Sequence, residues 1–147
     1  MELLFGTNVR EHGHRAGRLA GFEVDPISRC VLKIIFSGDG ELGGHALARP
    51  FSSVALERGE IHIQPHTASS EHAPGEPTLL SHSARIVRSG RLIGRLAGVE
   101  VTPVTGQLAA VLGRQHWWTR RFRVEASSCD LSVPGEVRTG VPGSQAA

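Results

Sequence analysis

One passage occurs twice in this chain. Residues 17–26 read Gly-Arg-Leu-Ala-Gly-Phe-Glu-Val-Asp-Pro, and residues 94–103 read Gly-Arg-Leu-Ala-Gly-Val-Glu-Val-Thr-Pro. Eight of the ten positions are identical at an offset of 77, with Phe22/Val99 and Asp25/Thr102 the exceptions. Weaker matches follow in the same order. Ser52-Ser53-Val54 resembles Ser127-Ser128-Cys129, and Gly59-Glu60-Ile61 resembles Gly135-Glu136-Val137, with the offset slipping as loop lengths vary. Ordered matches of this kind restrict the fold to one small design used twice.

The duplication divides the chain. A first repeat spans 1–64 and a second spans 79–138. The segment between them, 65–78, holds Pro65, Pro74 and Pro77 among small polar residues and reads as a linker. The tail, 139–147, has similar composition and is expected to fray.

Each copy reads as β-structure. In the second, Ala84–Arg88 leads through Ser89-Gly90 into Leu92–Val101, a turn follows over Thr102–Gly106, and Leu108–Leu112 is the next strand. The first copy gives Thr7–Glu11, a turn around Gly13–Gly17, Leu19–Val24, a turn at Asp25-Pro26, and Cys30–Phe36. Strict alternation puts Ala20, Phe22 and Val24 on the inner face, and Ala97, Val99 and Val101 in the same role. Glycines 17, 21, 94 and 98 suggest bulges where a small sheet curls. The third strand is apolar on both faces, more than a lone small sheet needs. A unit of roughly 60 residues buries only about 60% of its chain surface. The copies are therefore expected to pack on each other, or this strand to meet a partner chain.

Ser89-Gly90-Arg91-Leu92-Ile93-Gly94-Arg95-Leu96, followed by Val101-Thr102-Pro103-Val104-Thr105-Gly106-Gln107-Leu108, resembles the PRC-barrel family, as does Glu23-Val24-Asp25-Pro26-Ile27-Ser28-Arg29. The resemblance covers roughly residues 5–64 and 80–138. Thr102 stands where that family's turn has Asp, and Arg29 where it has Gly. The resemblance implies an all-β fold, two small PRC-barrel-like β-barrels in tandem and packed on each other. It also implies an adaptor role, since the family includes the photosynthetic reaction-centre H subunit and a ribosome-maturation factor, and it supplies no catalytic residues.

The candidate interaction surface is Arg114, His116, Trp117, Trp118, Arg120, Arg121, Phe122 and Arg123. This stretch gathers four arginines, a histidine and three of the seven aromatic residues. Tryptophan and arginine are over-represented as interface anchors; the same mixture can stack on bases and contact phosphates. As a strand it would alternate His116, Trp118, Arg120 and Phe122 against Trp117, Thr119, Arg121 and Arg123, and one Trp could instead fill the barrel while the arginines form a solvated rim. The equivalent stretch of the first copy, Ser37–Ala48, is Gly-rich and carries Asp39 and Glu41. Charge follows the same division. Residues 1–74 hold seven basic and nine acidic side chains, and residues 75–147 hold nine and five.

Other chemistry has little support. His62 and His66 have a helical ligand spacing, but on a strand they are about 13 Å apart, too far to share an ion. No nucleophile elbow, Cys-His pair or phosphate-cradling loop occurs. Cys30 and Cys129 cannot form a disulfide framework. The sequence leads to a non-enzymatic, cofactor-free adaptor of the cytoplasm, without a membrane span, that binds an unidentified protein or a second copy of itself. An RNA- or ribosome-associated factor is the first alternative, and a histidine-based metal protein the second.

Overall fold

The computed structural model describes residues 1–65 and 76–140. These residues form strands β1 (Glu2–Leu4), β2 (Asn8–Glu11), β3 (His14–Asp25), β4 (Cys30–Ser37), β5 (Leu47–Pro50), β6 (Val54–Glu57), β7 (Glu60–Ile63), β8 (Thr78–Ser81), β9 (Arg85–Arg88), β10 (Arg91–Val101), β11 (Leu108–Arg114), β12 (Phe122–Glu125) and β13 (Glu136–Thr139). Single 3-10 turns occur at Phe51–Ser53 and Ala126–Ser128. The fold is all-β, with two packed sheets. Most of the expected linker and tail, 66–75 and 141–147, lies outside the described residues; Thr139, placed in the tail, is a buried strand residue.

The duplication is visible in the irregularities as well as the strands. One sheet runs β5-β4-β3-β2-β7-β6, the other β12-β11-β10-β9-β13. Bulges leave Ala16, Ala20 and Leu32 unopposed in the first, and Ile93, Ala97 and Ala109 in the second, each pair 77 apart. The hairpin turns agree too: His12-Gly13 and Ser89-Gly90 all have positive φ, as a tight two-residue turn between twisted strands requires. Gly17 and Gly94 are both needed, because a Cβ at either would lie 2.4 or 2.6 Å from the carbonyl oxygen of Ser37 or Arg114.

The bulges correct the expected alternation. An extra residue resets the period of two, so Leu19 joins Phe22 and Val24 in the shared core cluster, while Ala20, equally buried, lies outside it. In the second copy, Leu96 takes the place assigned to Ala97. At Leu32 the same reset puts Val31 inward with Ile34 and Phe36, which accounts for part of the two-sided apolar pattern.

Each copy gives its first strand to the other. β1 pairs with β10, matching Leu3 to Val99, while β8 pairs with β3, matching Leu80 to Phe22. Leu3 and Leu80 are 77 apart and both fully buried. The relation is reciprocal, as in an isologous dimer: Val31 N–H donates to Gly106 O and Leu108 N–H to Arg29 O, both at 2.9 Å. Cys30 and Gln107, also equivalent, form an isolated bridge at the junction. Buried residues of both copies make one core. The expected closed barrels do not form. The outer strands of each sheet remain edges, since the curl of β3 and β10 receives the other copy's first strand instead of returning to its own.

Candidate interaction site

The candidate residues do not form one strand. β11 ends at Arg114, residues 115–121 are a loop, and only Phe122 and Arg123 lie on β12. Local hydrogen bonds turn the chain here. Arg114 Nη1 donates to Trp117 O at 3.0 Å, and Thr119 Oγ1 accepts from His116 N–H at 3.1 Å while donating to His116 O at 2.7 Å. These side chains satisfy backbone groups that a strand would pair with a neighbour. The loop is closed below by Phe122, opposite Gly113 in the ladder. Its ring lies over Gly94 and Gly113, where a Cβ would come within 2.9 and 2.6 Å of it.

Neither tryptophan fills the interior. Trp117 is 82% exposed and Trp118 65%. They meet edge-to-face at 5.6 Å, and Trp118 stacks on His116 at 4.6 Å with the rings nearly parallel. Two large aromatic rings held in water by a hydrogen-bonded loop form the largest exposed apolar feature on the candidate stretch.

The arginines separate into two groups. Arg123 bonds Glu100 at 3.0 Å and also Glu125. The Glu100 contact, then the Glu125 contact, raise the Arg123 pKa, and the same guanidinium lowers that of Glu100. Arg121 is 3.6 Å from Glu2 of β1. Arg114 has no carboxylate partner among the described residues, and its Nε is enclosed without a protein acceptor.

Between the loop and the sheets lies a groove of about 470 Å³. Leu4, Phe5, Leu96 and Ala97 provide its apolar lining, and Arg95, Arg114, Arg121, His82 and His116 its basic one. Leu4, Phe5, His82, Arg95 and Leu96 were not among the sequence candidates. The exchanged strands bring three of them: Leu4 ends β1, Phe5 follows it, and His82, the equivalent of Phe5 77 residues on, follows β8, with the two rings 6.4 Å apart, while Arg95 and Leu96 lie on β10.

The other sites considered remain scattered. Among the described residues no three His, Cys, Asp or Glu side chains are grouped to hold a metal ion. His62 lies 3.9 Å from Glu57, and His66 is outside the described residues. Ser53 and Ser128 each donate to the carbonyl three residues earlier, at 2.7 and 2.8 Å, as equivalent members of the two 3-10 turns. Cys129 is buried, and desolvation raises its pKa, which keeps the thiol protonated. No described helix is long and apolar enough to cross a membrane. No protein-family model and no curated protein sequence matches this chain.

Proposed function

We propose that this chain is a non-enzymatic protein-interaction module, a tandem PRC-barrel-type adaptor whose docking surface is the 114–123 stretch and the groove beside it. One observation carries the reading: Trp117 and Trp118 are held together in solvent on a braced loop. Exposing aromatic surface of this size is unfavourable, and Trp beside Arg is the composition found at interface anchors. The PRC-barrel part of the reading rests on the sequence resemblance and on two all-β units curled by matching bulges.

Affinity capture with the Trp117→Ala/Trp118→Ala double variant tests it. Wild type should retain a stoichiometric protein partner that the variant loses while keeping its circular dichroism spectrum. Equal recovery by both removes this surface from the proposal. Salt-sensitive capture of RNA instead would favour the ribosome-associated alternative, because phosphate neutralisation weakens steeply with added salt.

A further inference from the structure

The two halves treat equivalent places differently. In the first copy, the loop after β4 folds onto its own sheet. Glu41 Oε2 lies 2.7 Å from His82 Nε2, and Ser37 Oγ donates to Asp39 Oδ1 at 2.9 Å or to Glu41 O at 2.7 Å. Leu42 lies over Gly21, where a Cβ would be 3.2 Å from its Cδ2, and Gly40 packs on the stem of Arg18. An acidic, leucine-bearing segment thus covers the junction side of the first copy.

In the second copy the corresponding loop stands away and leaves the groove open. Arg95 takes the place of Arg18, and Arg114 the place of Ser37, each 77 residues on. Arg95 and Arg114 are directly opposed across β10 and β11. Neither has a carboxylate partner among the described residues; their hydrogen bonds go to the carbonyls of Ser83 and Trp117, at 3.2 and 3.0 Å. Like charges directly opposite on a sheet are destabilising, and a carboxylate between them would make charge-assisted hydrogen bonds to both.

We infer that the groove binds an acidic segment of a partner protein in which an aliphatic side chain neighbours a carboxylate, with Arg95 and Arg114 taking the carboxylate and Leu4, Phe5, Leu96 and Ala97 the aliphatic group. The inference rests on the interaction reading above and adds the chemistry of the partner. The loop of the first copy shows part of this chemistry, since its Asp39 carboxylate accepts from Ser37, the equivalent of Arg114, and its Leu42 follows Glu41 and lies over the sheet. A nucleic-acid strand suits the groove less well. Of its basic lining, Arg121 and His82 are already paired with Glu2 and Glu41, which leaves Arg95 and Arg114 for a single carboxylate rather than a row of cations for successive phosphates, and the apolar lining gives a phosphate nothing.

The probe is the capped peptide Ser-Gly-Asp-Gly-Glu-Leu-Gly-Gly, the sequence of residues 37–44, titrated into the full-length chain. Trp117 and Trp118 are the chain's two tryptophans, so intrinsic fluorescence reports on the groove rim alone. A saturable change is expected. Arg95→Gln, Arg114→Gln, or Gln in place of the peptide's Glu should each weaken it by roughly tenfold or more, the usual effect of losing a charge-assisted hydrogen bond. Circular dichroism identifies the variants that fold, and either arginine variant suffices. Three results would overturn the inference: no saturation at millimolar peptide, affinity indifferent to both arginines, or tighter binding of a uridine oligonucleotide. If the peptide fails while the tryptophan variant still loses its protein partner, the interaction reading survives and the acidic-segment inference alone falls.

Discussion

Replacing Leu3 with Ala tests whether the copies exchange strands. Leu3 is fully buried in β1, at the start of the first copy, yet it pairs with Val99 in the second sheet. Truncation removes about three carbons, worth about 0.8 kcal/mol each in transfer, and leaves a cavity that the packed core only partly closes, so the total loss should be about 3–4 kcal/mol. That is a large part of the 5–15 kcal/mol typical of a domain. Urea titration followed by far-ultraviolet circular dichroism measures it, with Leu80→Ala as the matched variant because Leu80 has the same role against Phe22. Hydrogen exchange adds the location. Leu3→Ala should loosen β10 and β11 more than β3 and β4, and Leu80→Ala should reverse that order. A loss below about 1 kcal/mol, or preferential opening of the first sheet by Leu3→Ala, would refute the exchange, since without it β1 has no reason to stabilise the distant copy.

The remaining predictions concern the turns and the acid limb. Gly106 has φ +73°, and a Cβ there would lie 2.9 Å from both the Phe51 ring and Val31 O, so Gly106→Ala should cost about 2–4 kcal/mol by denaturant titration. Arg29, its equivalent, holds φ +59° without glycine's freedom and encloses an unpartnered Nε. Arg29→Gly should therefore change stability by no more than about 1 kcal/mol, in the stabilising direction, as relief of strain is partly offset by the freer unfolded chain. Glu11 accepts a two-pronged hydrogen bond from Arg49 at 2.7 and 3.1 Å, which lowers its pKa; hydrogen bonds from Ser132 do the same for Asp130. The unfolded state then binds more protons than the folded one in acid, so this stabilisation is complete above the ordinary carboxylate range of about 4 and is lost as pH falls through the lowered values. The midpoint of thermal unfolding should be flat from pH 7 to about 5 and drop below that, and Glu11→Gln should shallow the drop while costing less than about 1 kcal/mol at pH 7, because the pair is partly exposed.

Much of this architecture was legible from residues that act locally. Ser89-Gly90 announced a tight turn because that conformation needs positive φ, and the 77-residue offset announced equivalent strands before any pairing was known. The bulges at Ala16 and Ala20 were signalled by the adjacent Gly17 and Gly21, although an alternating reading does not show which residue is the extra one; the bulge at Leu32 has no glycine beside it and was not placed. The exchange of β1 and β8 was also hidden. Glu2-Leu3-Leu4 and Leu79-Leu80-Ser81 share one identical equivalent position, Leu3/Leu80, too little to reveal which partner each strand takes. For the site, the composition pointed to the stretch that carries the exposed tryptophans, but treating it as a strand overlooked the side-chain hydrogen bonds that turn it. The groove needed Phe5, His82 and Arg95, which only the fold brings beside Trp117.

The shared core also explains why the halves diverge where they do. With β1 and β8 exchanged, a change at Leu3, Leu80 or the junction affects both sheets at once, so the loops after β4 and β11 are where one copy can change alone. Even there the packing must be kept. In the first copy Phe36 is buried opposite a half-exposed Leu47, whereas at the equivalent pair in the second the aromatic ring has moved across the ladder, with Gly113 opposite Phe122. The two changes depend on each other: a Cβ at Gly113 would lie 2.6 Å from Phe122 Cζ and 2.4 Å from Ile86 Cδ1. Supplying the ring from β12 lets the chain leave β11 through a glycine and an arginine instead of through Phe36 and Ser37. That difference opens the second loop away from the sheet, while the first folds its acidic loop shut. The Trp-bearing surface is thus inseparable from a core substitution two strands wide, and restoring Phe at 113 without removing the ring at 122 should disrupt the loop before it touches either tryptophan.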